Sequence, residues 1–472
     1  MFNSDSRNAA TRIYKKLKLD WVFNTSTFTG NFIIALAISY FFSSLGFGND
    51  VNYVFFITIL AIGLWVTEAI PPFAVGIFII AMLVLGFGSD FIISESSPID
   101  KYVSTWTSNV IWLLLGGFFL AKGMSIVELD RALFKFTINR FGNKPEKLLL
   151  GLMFTTAFAS MVMSNTATTA MMISSIVPLV RILGKESPYS KALLIGIPAA
   201  ASVGGIGTII GSTPNAIAVG ALQEIGFNIT FIEWMAFGFP TAIIMVYLFW
   251  LFLKKRFNFS DVELDTSSLT KQVSKINRPK RIAVIFTLVV TILLWLTEPI
   301  HGVPIAATSA VPIVLLTLTQ VVNAEQVRSL PWDTLMLVAG GLAMGIAIVD
   351  VGLADIIMNF VLEKSLPILV IAIIFSLVGV LTSNVMSNTA ASSILIPLSI
   401  ALPGSFGIAT PVIVAICCSS ALLLPVSTPS NAISYATGLI EQKDFYPGGI
   451  FFIVVAPILS IGVVLLWSLF YI

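Results

Sequence analysis

Charged side chains are scarce in this sequence. The 472 residues include 26 Lys and Arg and 24 Asp and Glu, so that 11% are charged and 57% are hydrophobic. A soluble protein carries about 25% charged residues. Because only helices and closed barrels can span a bilayer, and the apolar segments here have helical length, the composition predicts an all-α polytopic membrane protein. The small net charge of +2 gives no reason to expect a nucleic-acid partner.

Cysteine and histidine are almost absent. Cys417 and Cys418 are adjacent in an apolar segment, where helical neighbours point apart, so we interpret them as small buried side chains. The single histidine, His301, falls in a predicted external loop without a catalytic neighbour. The predicted spans contain no Ser/His/Asp set, metal-ligand cluster or acid pair. These absences argue against an enzyme and against any cofactor other than a coupling ion.

Two long stretches, 148–180 and 365–440, contain no Asp, Glu, Lys or Arg, and each carries the same tetrapeptide. The first copy is Met163-Ser164-Asn165-Thr166 and the second is Met386-Ser387-Asn388-Thr389. A continuous helix over 148–180 would be about 50 Å long, whereas the hydrocarbon core is ~30 Å thick. We therefore predict two re-entrant hairpins whose polar tips line a cavity, because non-helical backbone is not tolerated against lipid.

A second motif follows each hairpin. Ser212-Thr213-Pro214-Asn215 is echoed by Ser427-Thr428-Pro429-Ser430-Asn431, and Gly116-Gly117 is echoed by Gly340-Gly341. This order predicts an inverted repeat of five spans each, with one extra N-terminal span, two hairpins and eleven transmembrane helices in all. With the N-terminus inside and the C-terminus outside, 23 of the 26 Lys and Arg fall on the cytoplasmic side, as the positive-inside rule requires.

The paired Ser-Asn-Thr tips and the two Thr-Pro loops resemble the divalent anion/sodium symporter family, over nearly the whole chain. The resemblance implies a homodimer in the plasma membrane in which a transport domain moves against a scaffold. A cytoplasmic N-terminal arm is expected at 1–28 and a cytoplasmic linker at 254–281. The scaffold is expected at 29–145, with an amphipathic helix, and at 282–365. The transport domain is expected at 146–253, with a hairpin at 146–180 and a broken helix at 190–224, and at 366–472, with a hairpin at 366–400 and a broken helix at 409–440.

The resemblance also implies the binding residues. Substrate carboxylates are expected at Ser164, Asn165, Thr166, Thr213, Pro214, Ser387, Asn388, Thr389, Thr428 and Pro429. Two sodium sites are expected, one at Ser160, Ser164, Asn165 and Gly211, and the other at Ser383, Met386, Asn388 and Ser427.

The expected substrate is a C4 or C5 dicarboxylate such as succinate, malate, fumarate or 2-oxoglutarate. Because the motifs contain no Lys or Arg, a bound dianion has to be neutralised by helix dipoles, by sodium, or by a basic side chain from a neighbouring helix. We prefer sodium-coupled symport, with sodium-independent exchange as the alternative and citrate or sulfate as remoter substrates. A channel would be expected to line a continuous pore instead of closing two hairpins on a neutral site.

Overall fold

The computed structural model describes residues 20–89, 98–142, 144–259, 278–362, 367–400, 402 and 405–471. Within these ranges the chain is helical and contains no β-strand. The helices of the first half are α1 (Asp20–Ser43), α2 (Asn49–Thr67), α3 (Pro72–Phe87), α4 (Asp100–Val103), α5 (Asn109–Ile126), α6 (Leu129–Phe141), α7 (Pro145–Ser160), α8 (Asn165–Leu183), α9 (Pro188–Gly204), α10 (Thr213–Glu224) and α11 (Phe231–Phe257).

The helices of the second half follow in chain order. Its members are α12 (Arg278–Leu296), α13 (Glu298–His301), α14 (Ile305–Leu318), α15 (Ala324–Arg328), α16 (Trp332–Asp350), α17 (Leu353–Leu362), α18 (Ile368–Ser383), α19 (Asn388–Ser399), α20 (Ser405–Cys418), α21 (Pro429–Ala436) and α22 (Gln442–Tyr471).

Nine helices in the described ranges are long and apolar enough to cross a membrane, and four shorter apolar helices accompany them. The prediction of an all-helical polytopic protein is confirmed. The count of eleven spans and the inverted orientation of the two halves stay predictions.

All four interruptions predicted from the sequence are present. The chain leaves helical geometry between α7 and α8 and between α18 and α19, at the two Ser-Asn-Thr tips. The chain leaves α-helical geometry again between α9 and α10 and between α20 and α21, at the two Thr-Pro loops. Each hairpin therefore consists of two helices joined at its tip, and each broken span of two helical segments; α8, with 19 residues, is itself long enough to cross a membrane.

The first and last helices each begin in polar sequence. The first helix begins by Asp20, so that residues 20–28 of the predicted arm are helical, and the hydroxyl of Thr25 donates to the carbonyl of Trp21. The last helix begins at Gln442, where the Asp444 carboxylate accepts from the backbone N–H of Glu441 and satisfies a free helix-end donor. Residues 1–19 of the arm and 260–277 of the linker lie outside the described ranges.

The echoed glycine pairs allow close helix crossings. A Cβ atom on Gly340 of α16 would lie 2.2 Å from the Cα of Gly76 on α3, and one on Gly116 of α5 would lie 2.7 Å from the carbonyl oxygen of Ser309 on α14. Small residues permit such backbone approach between membrane helices. The neighbouring Gly117 instead faces Ile210, in the first broken span.

The charge distribution predicts the orientation of the exposed helices. We expect Ile300→Cys, at a site that is 85% exposed, to react with an impermeant maleimide from outside, and Lys135→Cys on the surface of α6 to react only after permeabilisation. The two natural cysteines are buried and should give little background. The opposite labelling pattern would show that the protein has the reverse orientation in the membrane.

Candidate functional site

A cavity of about 520 Å³ lies where the two hairpin tips and the two Thr-Pro loops meet. Every predicted substrate-binding residue lines it, as do two of the predicted sodium ligands from the loops: Ser164, Asn165, Thr166, Gly211, Thr213, Pro214, Ser387, Asn388, Thr389, Ser427, Thr428 and Pro429. The remaining predicted ligands, Ser160, Ser383 and Met386, are not among the lining residues. The structure thus brings both halves of the chain to one site.

Four helix N-termini border this cavity. Helices α8, α10, α19 and α21 begin at Asn165, Thr213, Asn388 and Pro429, and all four of these residues line it. Each N-terminus is equivalent to about half a positive charge, so together they offer about two. The residues lining the cavity include no Lys, Arg, His, Asp or Glu. The backbone is therefore the source of the positive potential at this site.

The tip serines cap their own helices. Ser164 Oγ accepts from the backbone N–H of Ala167 at 3.1 Å, and Ser387 Oγ accepts from that of Ala390 at 3.2 Å. These caps explain why α8 and α19 begin one residue later. Since each hydroxyl acts as an acceptor in its cap, its single hydrogen stays available to donate to an anion in the cavity.

Behind the first tip, oxygen atoms converge on Asn165. One atom of its side-chain amide lies 2.5 Å from Ser160 Oγ. The same atom lies 3.1 Å from the carbonyl oxygen of Ala201 and 3.2 Å from that of Gly211. With the amide nitrogen at this position, Asn165 donates to these three oxygens; with the oxygen there, four oxygens would share the single hydrogen of Ser160, and only a cation would balance them. Neutral oxygen atoms of this kind are the ligands that a sodium site in a transporter uses.

Glycines make this convergence possible. A Cβ atom on Gly205 would lie 2.5 Å from the carbonyl oxygen of Gly211, and a Cβ atom on Gly211 would lie 2.5 Å from that of Gly205. Any larger residue would push the two segments of backbone in the break apart. Trp234 of α11 donates to the carbonyl of Ile206 at 3.0 Å and holds the outer side of this break.

A similar cluster lies behind the second tip. Ser383 is fully buried, and its Oγ lies 2.7 Å from Oδ1 of Asn388 and 2.6 Å from the carbonyl oxygen of Cys418. One hydroxyl hydrogen can serve only one of these two acceptors. The surplus of oxygen is compatible with a small hard cation at this position as well.

Two predicted sodium ligands are restricted to their backbone atoms. The Met386 side chain packs against the apolar core, and a thioether is a poor ligand for a hard cation. The hydroxyl of Ser427 accepts from the N–H of Leu424 at 3.1 Å and donates to the carbonyl of Asn384 at 3.0 Å, so it is already in use.

Thr208 was not predicted, yet it ties the first tip to the first break. Its hydroxyl donates to the carbonyl of Met161 and accepts from the N–H of Gly211 at 3.1 Å. Ser427 makes the corresponding pair of bonds in the second half, from the other end of its loop. No sequence signal indicated Thr208, because it stands among Ile and Gly residues without a counterpart in the second half.

Buried asparagines set the correspondence between the two Thr-Pro loops. The Asn215 amide donates to the carbonyl of Thr208 at 2.8 Å, and the Asn431 amide donates to that of Leu424 at 3.0 Å. Both asparagines are fully buried. The structure therefore matches Asn215 with Asn431 across the extra residue Ser430.

This match shifts the alignment of the motif by one position. Ser212 and Thr428 both precede the first helical residue and share extended backbone geometry, with φ of −143° and −140°. Thr213 consequently corresponds to Pro429. The Thr-Pro echo in the sequence had suggested instead that Thr213 corresponds to Thr428. The sequence echo was misleading because the Thr-Pro dipeptide occurs in both loops at structural positions that differ by one residue.

The remaining wall comes from helices outside the hairpins. Gly117, Phe118 and Ala121 of α5 line one side, and Ser329, Pro331 and Thr334 before and within α16 line another. These residues were not predicted either, because they lie far from the motifs in sequence. They lie near the end of the molecule that also carries the basic residues of α6, α12 and α15.

Removing the Thr208 hydroxyl should destabilise the first break. Thr208→Val keeps the side-chain shape but removes the hydroxyl donor to the Met161 carbonyl, which costs about 1–3 kcal/mol for a buried group, and leaves the Gly211 N–H with only its 3.3 Å bond to the Thr208 carbonyl. We expect a lower unfolding temperature in detergent for Thr208→Val and a near-normal one for Thr208→Ser. Equal unfolding temperatures of Thr208→Val and the wild type would contradict the bridge.

Comparison with known proteins places this arrangement among membrane transporters. A family model described as "Citrate transporter" matches residues 62–418. The sodium-dependent dicarboxylate transporter SdcS of Staphylococcus aureus strain USA300 is 31% identical over 458 residues, covering 87% of this chain and 85% of that protein. SdcS of Staphylococcus saprophyticus is 28% identical over 451 residues, with 88% and 85% covered.

Solved structures share the fold at much lower identity. The YdaH transporter of Alcanivorax borkumensis matches with a TM-score of 0.51 and 13% identity, covering 85% of this chain and 97% of that one. MtrF of Neisseria gonorrhoeae matches with a TM-score of 0.52 and 14% identity, with 84% and 94% covered. At these identities the resemblance concerns the fold alone.

Proposed function

The chain belongs to the citrate transporter family, and on this premise we propose that it carries C4 and C5 dicarboxylates, such as succinate, malate, fumarate and 2-oxoglutarate, coupled to sodium. It is a polytopic membrane transporter and not an enzyme. The relatives named above are sodium-dependent dicarboxylate transporters, which supports both the substrate class and the coupling ion.

One observation carries the proposal: a cavity without a charged side chain is bordered by four helix N-termini. Burying a dianion without compensation would be prohibitive. Two N-termini at the tips and two at the Thr-Pro loops supply about two positive charges in fixed positions. The Asn165 and Asn388 amides and the tip hydroxyls then donate to individual carboxylate oxygens.

Sodium completes the charge balance. The oxygen clusters around Ser160 and Ser383 lie directly behind the tips, so cations bound there would stabilise the tip conformation and the substrate together. In this scheme Ser160, Ser164, Asn165 and Gly211 hold one ion. Ser383, Asn388 and the backbone carbonyls at Met386 and Ser427 hold the other.

The transport cycle we propose is alternating access by an elevator-type movement. The hairpins and broken helices, at 146–253 and 366–472, form a transport domain that slides along a scaffold formed by 29–145 and 282–365. The two halves are an inverted repeat, the protein is a homodimer in the plasma membrane, and the N-terminus is cytoplasmic. In this orientation Ser329, Pro331 and Thr334 lie toward the cytoplasmic side, and we propose that the cavity opens to that side.

The coupling is tested by uptake into proteoliposomes. Labelled succinate uptake should rise steeply with external sodium and should not require dicarboxylate inside. Sodium-independent uptake that depends on internal dicarboxylate would make the protein an exchanger. If citrate or sulfate inhibits the uptake of labelled succinate more strongly than unlabelled C4 and C5 dicarboxylates do, citrate or sulfate is the better substrate.

Asn165→Ala and Asn388→Ala should each strongly reduce succinate transport, because each removes hydrogen-bonding capacity worth roughly 1–3 kcal/mol in a site without charged side chains. The matched control is Asn31→Ala, whose amide bonds to Thr67 on α2, outside the cavity. Wild-type affinity and rate in both tip variants would refute the assignment of the site.

Ser160→Ala should raise the sodium concentration needed for half-maximal transport, while the KM for succinate at saturating sodium changes less. The reason is that Ser160 contacts the Asn165 amide from behind and is not among the cavity-lining residues. Ser174→Ala is the control, since that exposed hydroxyl donates to its own helix at Met171. An unchanged sodium dependence in Ser160→Ala would remove this residue from the cation site.

A further inference from the structure

Lys122 is a lysine inside an apolar helix that the proposed binding site does not use. It lies on α5, four residues before the end of that helix, and is half-buried. Ionisable residues inside membrane helices are costly, and they mark functional sites when they persist. Among the described residues, Lys122 has no hydrogen-bonding or ion-pair partner.

The position of Lys122 follows from the helix that carries it. Phe118 and Ala121 of α5 line the central cavity. Lys122 comes one residue after Ala121 and one turn after Phe118, which places it at the flank of the cavity face. Ser125, one turn beyond Ala121, is exposed. A long lysine side chain can bury its stem along α5 and extend its amine toward the nearer end of the cavity.

Nearby carboxylates have other partners. Glu128, which follows α5, pairs with Arg131 at 2.8 Å. Asp130 accepts from the backbone N–H of Arg131 at 2.9 Å. The cavity itself contributes no acidic residue. An anion that enters the cavity can therefore pair with the Lys122 amine.

We propose that Lys122 is a positioning residue for the anionic substrate at the cytoplasmic entrance of the cavity. It attracts a dicarboxylate to the inward-facing site and selects dianions over monoanions there. This inference rests on the proposed function. It adds an effect that is confined to one face of the membrane. Because Lys122 belongs to the proposed scaffold, the site leaves it behind when the transport domain moves, so Lys122 acts on the cytoplasmic face alone.

The test compares succinate transport from the two faces, in inside-out and right-side-out membrane vesicles. For Lys122→Gln we expect the KM on the cytoplasmic face to rise about fivefold to tenfold and to become less sensitive to ionic strength, as for a rim charge that steers its ligand. The KM on the external face should stay within about twofold of wild type. Lys122→Arg should restore the cytoplasmic KM.

Lys135→Gln is the matched control, because it removes a positive charge from the exposed surface of α6 on the same side of the membrane. It should leave both KM values unchanged. If Lys122→Gln does not fold, Lys122→Met preserves the apolar stem and is judged by the same two KM values.

Three outcomes separate this inference from the proposed function. A rise in KM on the cytoplasmic face alone supports the role of Lys122. Unchanged values on both faces, or an equal rise on both faces, overturn that role and leave the proposed function standing. A wild-type protein that transports no succinate from either face overturns the proposed function, and the role of Lys122 with it.

Discussion

The proposed function imposes one constraint on the structure: an anion has to be bound inside the membrane at a site without charged side chains. Backbone dipoles meet this constraint only where helices begin, so four helices have to begin at the middle of the molecule. Each beginning leaves free N–H and C=O groups that lipid cannot satisfy. The Ser-Asn-Thr tips, the Thr-Pro loops and the buried asparagines are the consequence, because these residues provide the missing hydrogen bonds.

The hydrogen bonds that satisfy the breaks also connect the parts of the proposed transport domain. Thr208 and Ser427 each join a break loop to the turn of its hairpin, so tip and loop form one unit in each half. Ser212 and Ser419 join the two halves through hydroxyls 2.7 Å apart. The scaffold meets this unit through small residues, such as Gly117 against Ile210 and Gly341 against Ser393. Smooth surfaces of this kind are suited to the sliding that we propose.

The sequence was sufficient to predict the helical fold, the four breaks and the residues that surround the cavity, because a polar motif duplicated within charge-free runs is costly in a membrane unless it lines a cavity. It was insufficient for Thr208 and for the wall at Ser329 to Thr334, since their roles arise from tertiary contacts that no motif records. The alignment of Thr213 with Thr428 was wrong because Asn215 and Asn431, which are separated from the Thr-Pro pair by different distances, determine the register.

The central claim is that sodium and the dianion stabilise each other in one neutral cavity. Isothermal titration of the purified protein with succinate, in sodium buffer and in buffer with choline replacing sodium, tests it most directly. The account predicts that the affinity for succinate falls at least about tenfold without sodium, and that succinate raises the affinity for sodium by the same factor, as linkage requires. Equal succinate affinity in the two buffers would contradict the account.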